Sequence, residues 1–186
     1  LPTLDAGGAE RVLISLMNGL DREQYEPSFL SVQSGGPLEG FIDPAIEQHT
    51  LNRTPRSFVV TFLPCLFRKV KALKPDIIVS TMTHMNFAVL TLKPFFPKTK
   101  FVIREAITPS FFLQKYKKIN WLLKSIYRVL YPKADIVLSP SQKIFDELST
   151  DLKLNPDNFK LIKNPVDITQ IRSSIKFDKV DQPSDV

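Results

Sequence analysis

The sequence predicts an α/β domain in which a Rossmann-like parallel sheet carries helices on both faces. Along the chain, apolar runs of strand length alternate with longer stretches of helical period, which is the pattern of parallel strands joined by crossover helices. The clearest strand, Ile77–Thr81, is a β-branched run with polar residues at its carboxyl end. With 186 residues, 43% of them hydrophobic, the chain is long and apolar enough for one domain with its own core.

The predicted elements follow one another in a regular order. After Gly7 and Gly8, a helix carries its apolar face on Val12, Leu13, Leu16, Met17 and Leu20. Strands are predicted over 27–32, 49–51, 77–81, 100–104, 136–138 and 159–162. Helices are predicted over 39–47, 57–73, 86–95, 110–130 and 141–152, with Pro64 kinking the one over 57–73. Residues 1–174 then form one domain, and the polar residues 175–186 form a linker.

Composition limits the partners and the chemistry. The net charge of +6 and the pI near 9.4 favour an anionic partner, which is a nucleic acid, a phosphate-bearing ligand or an acidic membrane surface. Cys65 is the only cysteine, which excludes an intramolecular disulfide and favours a reducing, cytoplasmic location. The two histidines are isolated, so no metal site or cofactor is predicted, and no apolar run is long enough to span a membrane.

The glycine pair 7–8 is a candidate phosphate site. Glycine permits positive φ and lets a ligand approach the backbone, and the following helix presents unpaired N–H groups and the positive end of its dipole. An anion such as a phosphate group would be well placed there, with Arg11 as a further contact and Glu10 stabilised by the dipole. The alternative is that Gly7 and Gly8 only form a tight turn, and that Glu10 and Arg11 are ordinary helix charges.

A second group of candidates follows the carboxyl ends of two predicted strands, the edge at which open α/β sheets bind ligands. His84 follows a strand expected to be central, and its imidazole can donate to a ligand hydroxyl or, when protonated, stabilise a phosphate. Its alternative role is a helix cap or a half-buried side chain. Arg104 and Glu105 end the next strand, where the carboxylate either orients hydroxyl groups of a ligand and acts as a base or forms a local ion pair. Asn86 belongs to the same expected rim, and Ser141 is predicted to cap a helix.

The predicted helical region over 110–133 interleaves basic with aromatic side chains. Its basic residues are Lys115, Lys117, Lys118, Lys124, Arg128 and Lys133, and its apolar neighbours include Phe111, Phe112, Tyr116, Trp121 and Leu122. This composition suits the interface of an anionic membrane, where each basic contact is worth about 1 kcal/mol. It equally suits a helix with a core-facing apolar stripe and a solvated basic back.

Five fragments of the sequence occur in a fixed order. They are Gly7-Gly8-Ala9-Glu10-Arg11, Lys74-Pro75-Asp76-Ile77-Ile78 with Thr83-His84-Met85-Asn86, Arg104-Glu105, Ala134-Asp135 with Ser139-Pro140-Ser141, and Ile162-Lys163-Asn164-Pro165-Val166-Asp167. In order and spacing, across nearly the whole chain, they resemble the amino-terminal domain of family-4-type retaining glycosyltransferases. That family includes bacterial transferases that make lipid-linked oligosaccharides and capsules.

The resemblance implies one half of a GT-B architecture, which consists of two Rossmann domains. In that family the amino-terminal domain takes a glycan or lipid-linked acceptor and the carboxyl-terminal domain binds most of the nucleotide-sugar donor, so the chain is expected to be inactive alone. The resemblance also places Ser141 near the cleft and Asn164 in the crossover between domains. The alternative is a non-catalytic subunit that completes a transferase site with another chain. No recognition motif supports nucleic-acid binding. The single cysteine predicts a cytoplasmic location, and the basic and aromatic region over 110–133 predicts a peripheral position on the inner face of the cell membrane.

Overall fold

The computed structural model describes residues 1–5, 7–52 and 62–165. The predicted linker over 175–186 and the domain boundary at 174 lie outside the described residues. Residues 57–61 of the helix predicted over 57–73 also lie outside them. The domain boundary and the linker therefore stay predictions.

Six short strands form two parallel sheets. They are β1 (Ser28–Ser31), β2 (Glu47–Thr50), β3 (Ile77–Thr81), β4 (Lys100–Arg104), β5 (Ile136–Ser139) and β6 (Phe159–Leu161). The first sheet pairs β1 with β2, and the second has the order β3-β4-β5-β6. All four strand pairs of the described chain are parallel. With the helices that join the strands, this confirms the predicted α/β class.

The helices lie between the strands along the chain. They are α1 (Gly8–Asn18), α2 (Leu63–Leu73), α3 (Thr83–Leu90), α4 (Pro109–Lys115), α5 (Asn120–Leu130) and α6 (Gln142–Asp146). A π-helical turn, Glu147–Asp151, continues α6. In place of the helix predicted over 39–47 there is one 3₁₀ turn, Glu39–Phe41.

The sheet differs from the prediction in one respect that concerns the site. The strand before His84 was expected to be central, but β3 is at the edge of the four-stranded sheet, with β4 as its partner. Ile77 and Val79, which lie on the same face of β3, are about half exposed. The carboxyl end of β3 is nevertheless buried, at Ser80 and Thr81.

The long helix predicted over 110–130 is broken. After α4 ends at Lys115, Tyr116 leaves helical geometry with φ −117° and ψ 47°, and a 3₁₀ turn, Lys117–Ile119, leads into α5. The side chains of α5 that face inward are Leu123, Tyr127 and Leu130, so the core-facing stripe is present. The break leaves other apolar side chains of the same region exposed.

Two apolar clusters hold the domain together. The larger one joins the four-stranded sheet to the helices from α2 to α6, through residues such as Phe101, Ile103 and Val137. The smaller one lies under α1 and contains Leu4, Ile14, Met17, Phe29, Leu38, Ile42 and Ile46. The face predicted for α1 was therefore partly wrong: Ile14 and Met17 are buried together with Glu10, whereas Leu16 and Leu20 are each about 40% exposed.

Candidate functional site

The glycine loop leaves the carboxyl end of an extended segment. Residues 1–4 run beside the end of β1, where Leu1 O accepts from Val32 N and Pro2 O accepts from Gln33 N. The backbone then turns, and α1 starts at Gly8 with Gly7 as its N-cap residue. Gly7 has φ −77°, and neither glycine has positive φ, so the conformational reason given for the pair is wrong. What distinguishes these two positions is the space available for a side chain.

The two glycines have different surroundings. A Cβ on Gly7 would lie 2.2 Å from Glu10 Oε2, because the buried Glu10 side chain folds back against the loop. A Cβ on Gly8 would meet nothing within 4 Å. Gly7 therefore makes room for an internal carboxylate, which the helix dipole stabilises. The open side of the loop is over Gly8, next to unpaired N–H groups of the first helical turn.

Glu10 and Arg11 are the other two candidates near the loop. Glu10 is 5% exposed, so it lies beneath the surface rather than on a rim. The exposed Arg11 guanidinium lies 5.9 Å from the centre of the Phe41 ring, a cation–π arrangement. This contact favours a packing role for Arg11 over direct contact with a phosphate.

Glu105 lies below the expected rim, in a chain of three side chains. Thr83 Oγ1 donates to Glu105 Oε2 over 2.9 Å, and the Tyr127 hydroxyl donates to Thr83 Oγ1 over 3.2 Å. The Glu105 side chain is completely buried, and its Oε1 accepts no hydrogen bond from the described part of the chain. The carboxylate therefore has no access to acceptor hydroxyls in this conformation. We revise its expected role from catalytic base to buried structural acid.

Burial also changes the ionisation of Glu105. Desolvation raises its pKa from 4.5 to about 8, and the opposing effects of the Thr83 hydrogen bond, the nearby Asn86 amide and the charge of Arg104 do not compensate. The carboxyl is consequently mostly protonated at neutral pH. A protonated Glu105 forms no ion pair with Arg104, so the ion-pair alternative does not describe the neutral-pH state.

Arg104 joins the ends of three segments. Its Nη1 donates to Thr81 Oγ1 over 3.1 Å, and its Nη2 donates to Asn164 Oδ1 over 2.5 Å. Arg104 is 5% exposed, while Asn164 is exposed. Asn86 is completely buried, and its Nδ2 donates to the Arg104 carbonyl over 3.0 Å. Arg104 therefore hydrogen-bonds to the carboxyl end of β3, and Asn86 hydrogen-bonds to the carboxyl end of β4. Both side chains are buried.

Of the candidates at the ends of β3 and β4, His84 is the one that reaches the surface. It is the second residue of α3 and is exposed, whereas Thr83, Met85 and Asn86 around it are buried. Part of its ring is still shielded from water, and this desolvation is the first cause of a lowered pKa. Positive charges nearby, Lys115 among them, lower the pKa further. At neutral pH the imidazole is therefore predominantly neutral.

The backbone is strained at Met82, two residues before His84. Met82 is the single residue between β3 and α3 and has φ 72° and ψ 130°. A residue with a Cβ rarely adopts this conformation, and where it does so the surrounding structure must hold it. Sequence reasoning missed Met82, since positive φ is usually signalled by glycine or asparagine. It also missed Thr83 and Tyr127 as members of the network.

Ser141 behaves as expected for a helix cap. Its Oγ accepts from Ile144 N over 3.4 Å at the start of α6, and the residue is exposed. In the described residues, no group of three His, Cys, Asp or Glu side chains is arranged to hold a metal ion. The described helices also contain none that is long and apolar enough to cross a membrane.

Comparison with known proteins identifies relatives of the whole domain. The family model of Glycosyltransferase Family 4 matches residues 6–170. The chain is 27% identical, over 177 residues, to the N-acetylgalactosamine-N,N'-diacetylbacillosaminyl-diphospho-undecaprenol 4-alpha-N-acetylgalactosaminyltransferase of Campylobacter jejuni subsp. jejuni serotype O:2. That match covers 91% of this chain and 47% of the relative.

A solved structure has the same fold. The lipopolysaccharide outer core galactosyltransferase WaaB, in its apo form, matches with a TM-score of 0.62 and 15% sequence identity. The match covers 88% of this chain and 43% of WaaB. The chain thus spans about half the length of both relatives.

Proposed function

Because the chain belongs to Glycosyltransferase Family 4, we propose that it is the amino-terminal, acceptor-side domain of an enzyme that moves a sugar from a nucleotide donor. The observation that carries this proposal is the open helix start at Gly8, and the exposed, predominantly neutral imidazole at His84 supports it. The proposed enzyme is a retaining hexosyltransferase that needs no metal or cofactor. By itself the 186-residue chain is expected to be inactive, because it spans less than half of each relative.

The donor diphosphate would lie over Gly8. The space above this residue is empty of protein atoms within 4 Å of a Cβ position, and the first turn of α1 supplies backbone N–H donors. The remaining donor contacts, including those to the sugar, are expected from a carboxyl-terminal domain. A non-catalytic subunit that completes a site with another chain would use the same surface.

His84 would act on the acceptor side of the transferred sugar. As a neutral imidazole at the carboxyl end of β3, it can donate one hydrogen bond to a sugar hydroxyl or a phosphate oxygen. A glycan or lipid-linked acceptor is proposed, since the Campylobacter relative is named for an undecaprenol-diphosphate-linked one.

Substitution of Gly8 tests the donor site. We expect Gly8→Val in the full-length protein to lower sugar transfer at least about tenfold, because a side chain would occupy the space of the phosphates and displace a preorganised contact. Gly40→Val is the matched control, because Gly40 is also exposed with nothing within 4 Å of its Cβ position. Transfer is measured with a panel of nucleotide sugars, and thermal unfolding verifies that both variants fold. Equal activity of the two variants would remove Gly8 from the site.

We further propose that the break between α4 and α5 rests on an anionic membrane, on the cytoplasmic side. Five apolar side chains there are between 40% and 68% exposed: Phe111, Tyr116, Ile119, Trp121 and Leu122. Lys115, Lys117, Lys118 and Lys124 are exposed in the same segment. Interfacial aromatic residues beside lysines are the composition that binds anionic bilayers, and a membrane location would bring a lipid-linked acceptor to the cleft.

Vesicle sedimentation tests the membrane surface. We expect the protein to sediment with vesicles containing anionic lipid at low salt, and to be released at high salt because the electrostatic attraction is screened. The double variant Phe111→Ala and Trp121→Ala should bind more weakly. Phe95→Ala, which removes a 66% exposed aromatic residue elsewhere, should bind like the native protein. Sedimentation that does not depend on Phe111 and Trp121 contradicts this surface.

A further inference from the structure

The turn before His84 stores strain at a single residue. Met82 alone connects β3 to α3, and its φ of 72° with ψ of 130° belongs to a region that glycine occupies readily and other residues avoid. Its carbonyl still accepts from Asn86 N over 2.9 Å, so the strained residue also starts the hydrogen bonding of α3. Such a conformation persists only where neighbouring contacts determine the backbone on both sides.

Both flanks of Met82 are tied to the pair Arg104 and Glu105. On the β3 side, Thr81 Oγ1 accepts from Arg104 Nη1 over 3.1 Å. On the α3 side, Thr83 Oγ1 donates to Glu105 Oε2 over 2.9 Å. The two threonine side chains are buried, so neither bond competes with water.

A third contact holds Thr83, the residue on the α3 side of the turn. The Tyr127 hydroxyl on α5 donates to Thr83 Oγ1 over 3.2 Å, so this threonine both donates and accepts. Tyr127 is completely buried among aromatic rings, which leaves its hydroxyl little freedom. Thr83 therefore has a defined position, and His84 follows it directly in the chain.

We propose that Thr83, Glu105 and Tyr127 are positioning residues, which hold the strained turn at Met82 and thereby present the His84 imidazole at the rim. This inference goes beyond the proposed function by assigning roles to residues that never reach the substrate. It rests on the proposed function in one respect, namely that the reaction takes place beside His84. The protonated state of the buried carboxyl at neutral pH supports it, because an uncharged Glu105 can remain in this apolar place beside Thr83.

A coupling experiment on the full-length protein separates positioning from simple packing. If the network holds a strained turn, Glu105→Ala should lower stability less when Met82→Gly has already removed the strain. We expect the two changes to be coupled by about fivefold in the unfolding equilibrium constant. Glu147→Ala combined with Met82→Gly is the control, because buried Glu147 accepts from Ser110 at the start of α4 and has no bond to the turn. That pair should be additive.

The imidazole of His84 gives a second readout that packing alone would not change. Its NMR titration, assigned with His84→Gln, should move to a higher pKa in Glu105→Ala, because a loosened turn exposes the ring to water. Glu105→Gln retains an oxygen acceptor for Thr83 and should restore the native titration. If Glu105→Ala does not fold, Thr83→Val takes its place in the same cycle.

Two results would overturn the proposal. One is additivity of Glu105→Ala and Met82→Gly, and the other is an unchanged His84 titration in Glu105→Ala or Thr83→Val. Neither measurement uses sugar transfer. Failure of the proposed function would instead be seen in the comparison of Gly8→Val with Gly40→Val.

Discussion

Replacement of Glu105 by glutamine is expected to remove the decrease in folding stability that burial of this carboxyl predicts for the native protein as the pH rises from about 5 to about 8. The carboxyl is completely buried, and its pKa is raised from 4.5 to about 8 in the folded state. Between these values the folded protein binds a proton that the unfolded chain has released. Stability from this group is fully present below the unfolded pKa and is lost as the pH rises through the folded one, at up to about 1.4 kcal/mol per pH unit.

Urea unfolding at several pH values, followed by circular dichroism, measures this slope. Glu105→Gln keeps the size and the Thr83 contact but has no proton to lose, so its unfolding free energy should no longer fall over the window. Glu39→Gln, at an exposed position, should keep the native slope. Equal slopes for the native protein and Glu105→Gln would mean that water reaches the carboxylate and that Glu105 is not buried as described.

The largest loss of stability is expected from Tyr127→Ala, at about 3–5 kcal/mol, the range for truncating large buried aromatic residues. The Tyr127 ring lies 4.9 Å from the Phe87 ring and 4.7 Å from the Tyr131 ring, measured between centroids. Its removal would leave a cavity at the junction of α3 and α5. It would also remove the hydroxyl that donates to Thr83.

Two further variants separate these contributions. Tyr127→Phe keeps the ring and removes only the hydroxyl, so the expected loss is about 1 kcal/mol. Val129→Ala lies on the same helix, at a residue that is 61% exposed, and should change stability by less than about 0.5 kcal/mol. A loss in Tyr127→Ala no larger than that in Val129→Ala would contradict the packing of α5 described above.

The sequence was sufficient for the elements whose signals are local. β3 and β4 have the predicted bounds, and β5 and β6 differ from theirs by one residue each, because apolar runs between turn residues define parallel strands. The helix over 110–130 was predicted without its break because its apolar and basic residues continue through Tyr116 with helical spacing. The position of β3 at an edge depends on pairing between distant segments, which periodicity does not encode.

The sequence predicted which strand ends carry the candidate residues, but not which of those residues are buried. Strand ends gave His84 and Glu105 as neighbours on one rim, and both do follow the carboxyl ends of adjacent strands. Which of the two reaches the surface depends on Tyr127, which lies 44 residues after Thr83 in the chain and covers the network from α5. No local pattern distinguishes an exposed histidine from a buried glutamate in such a place.

The most direct test of the two-domain proposal is sugar transfer by four forms of the protein: full length, full length with Gly8→Val, full length with Gly40→Val, and the 186-residue chain alone. We expect transfer by the full-length protein and by Gly40→Val, a loss of at least about tenfold in Gly8→Val, and no transfer by the 186-residue chain. Transfer by the chain alone, or full activity in Gly8→Val, would contradict it.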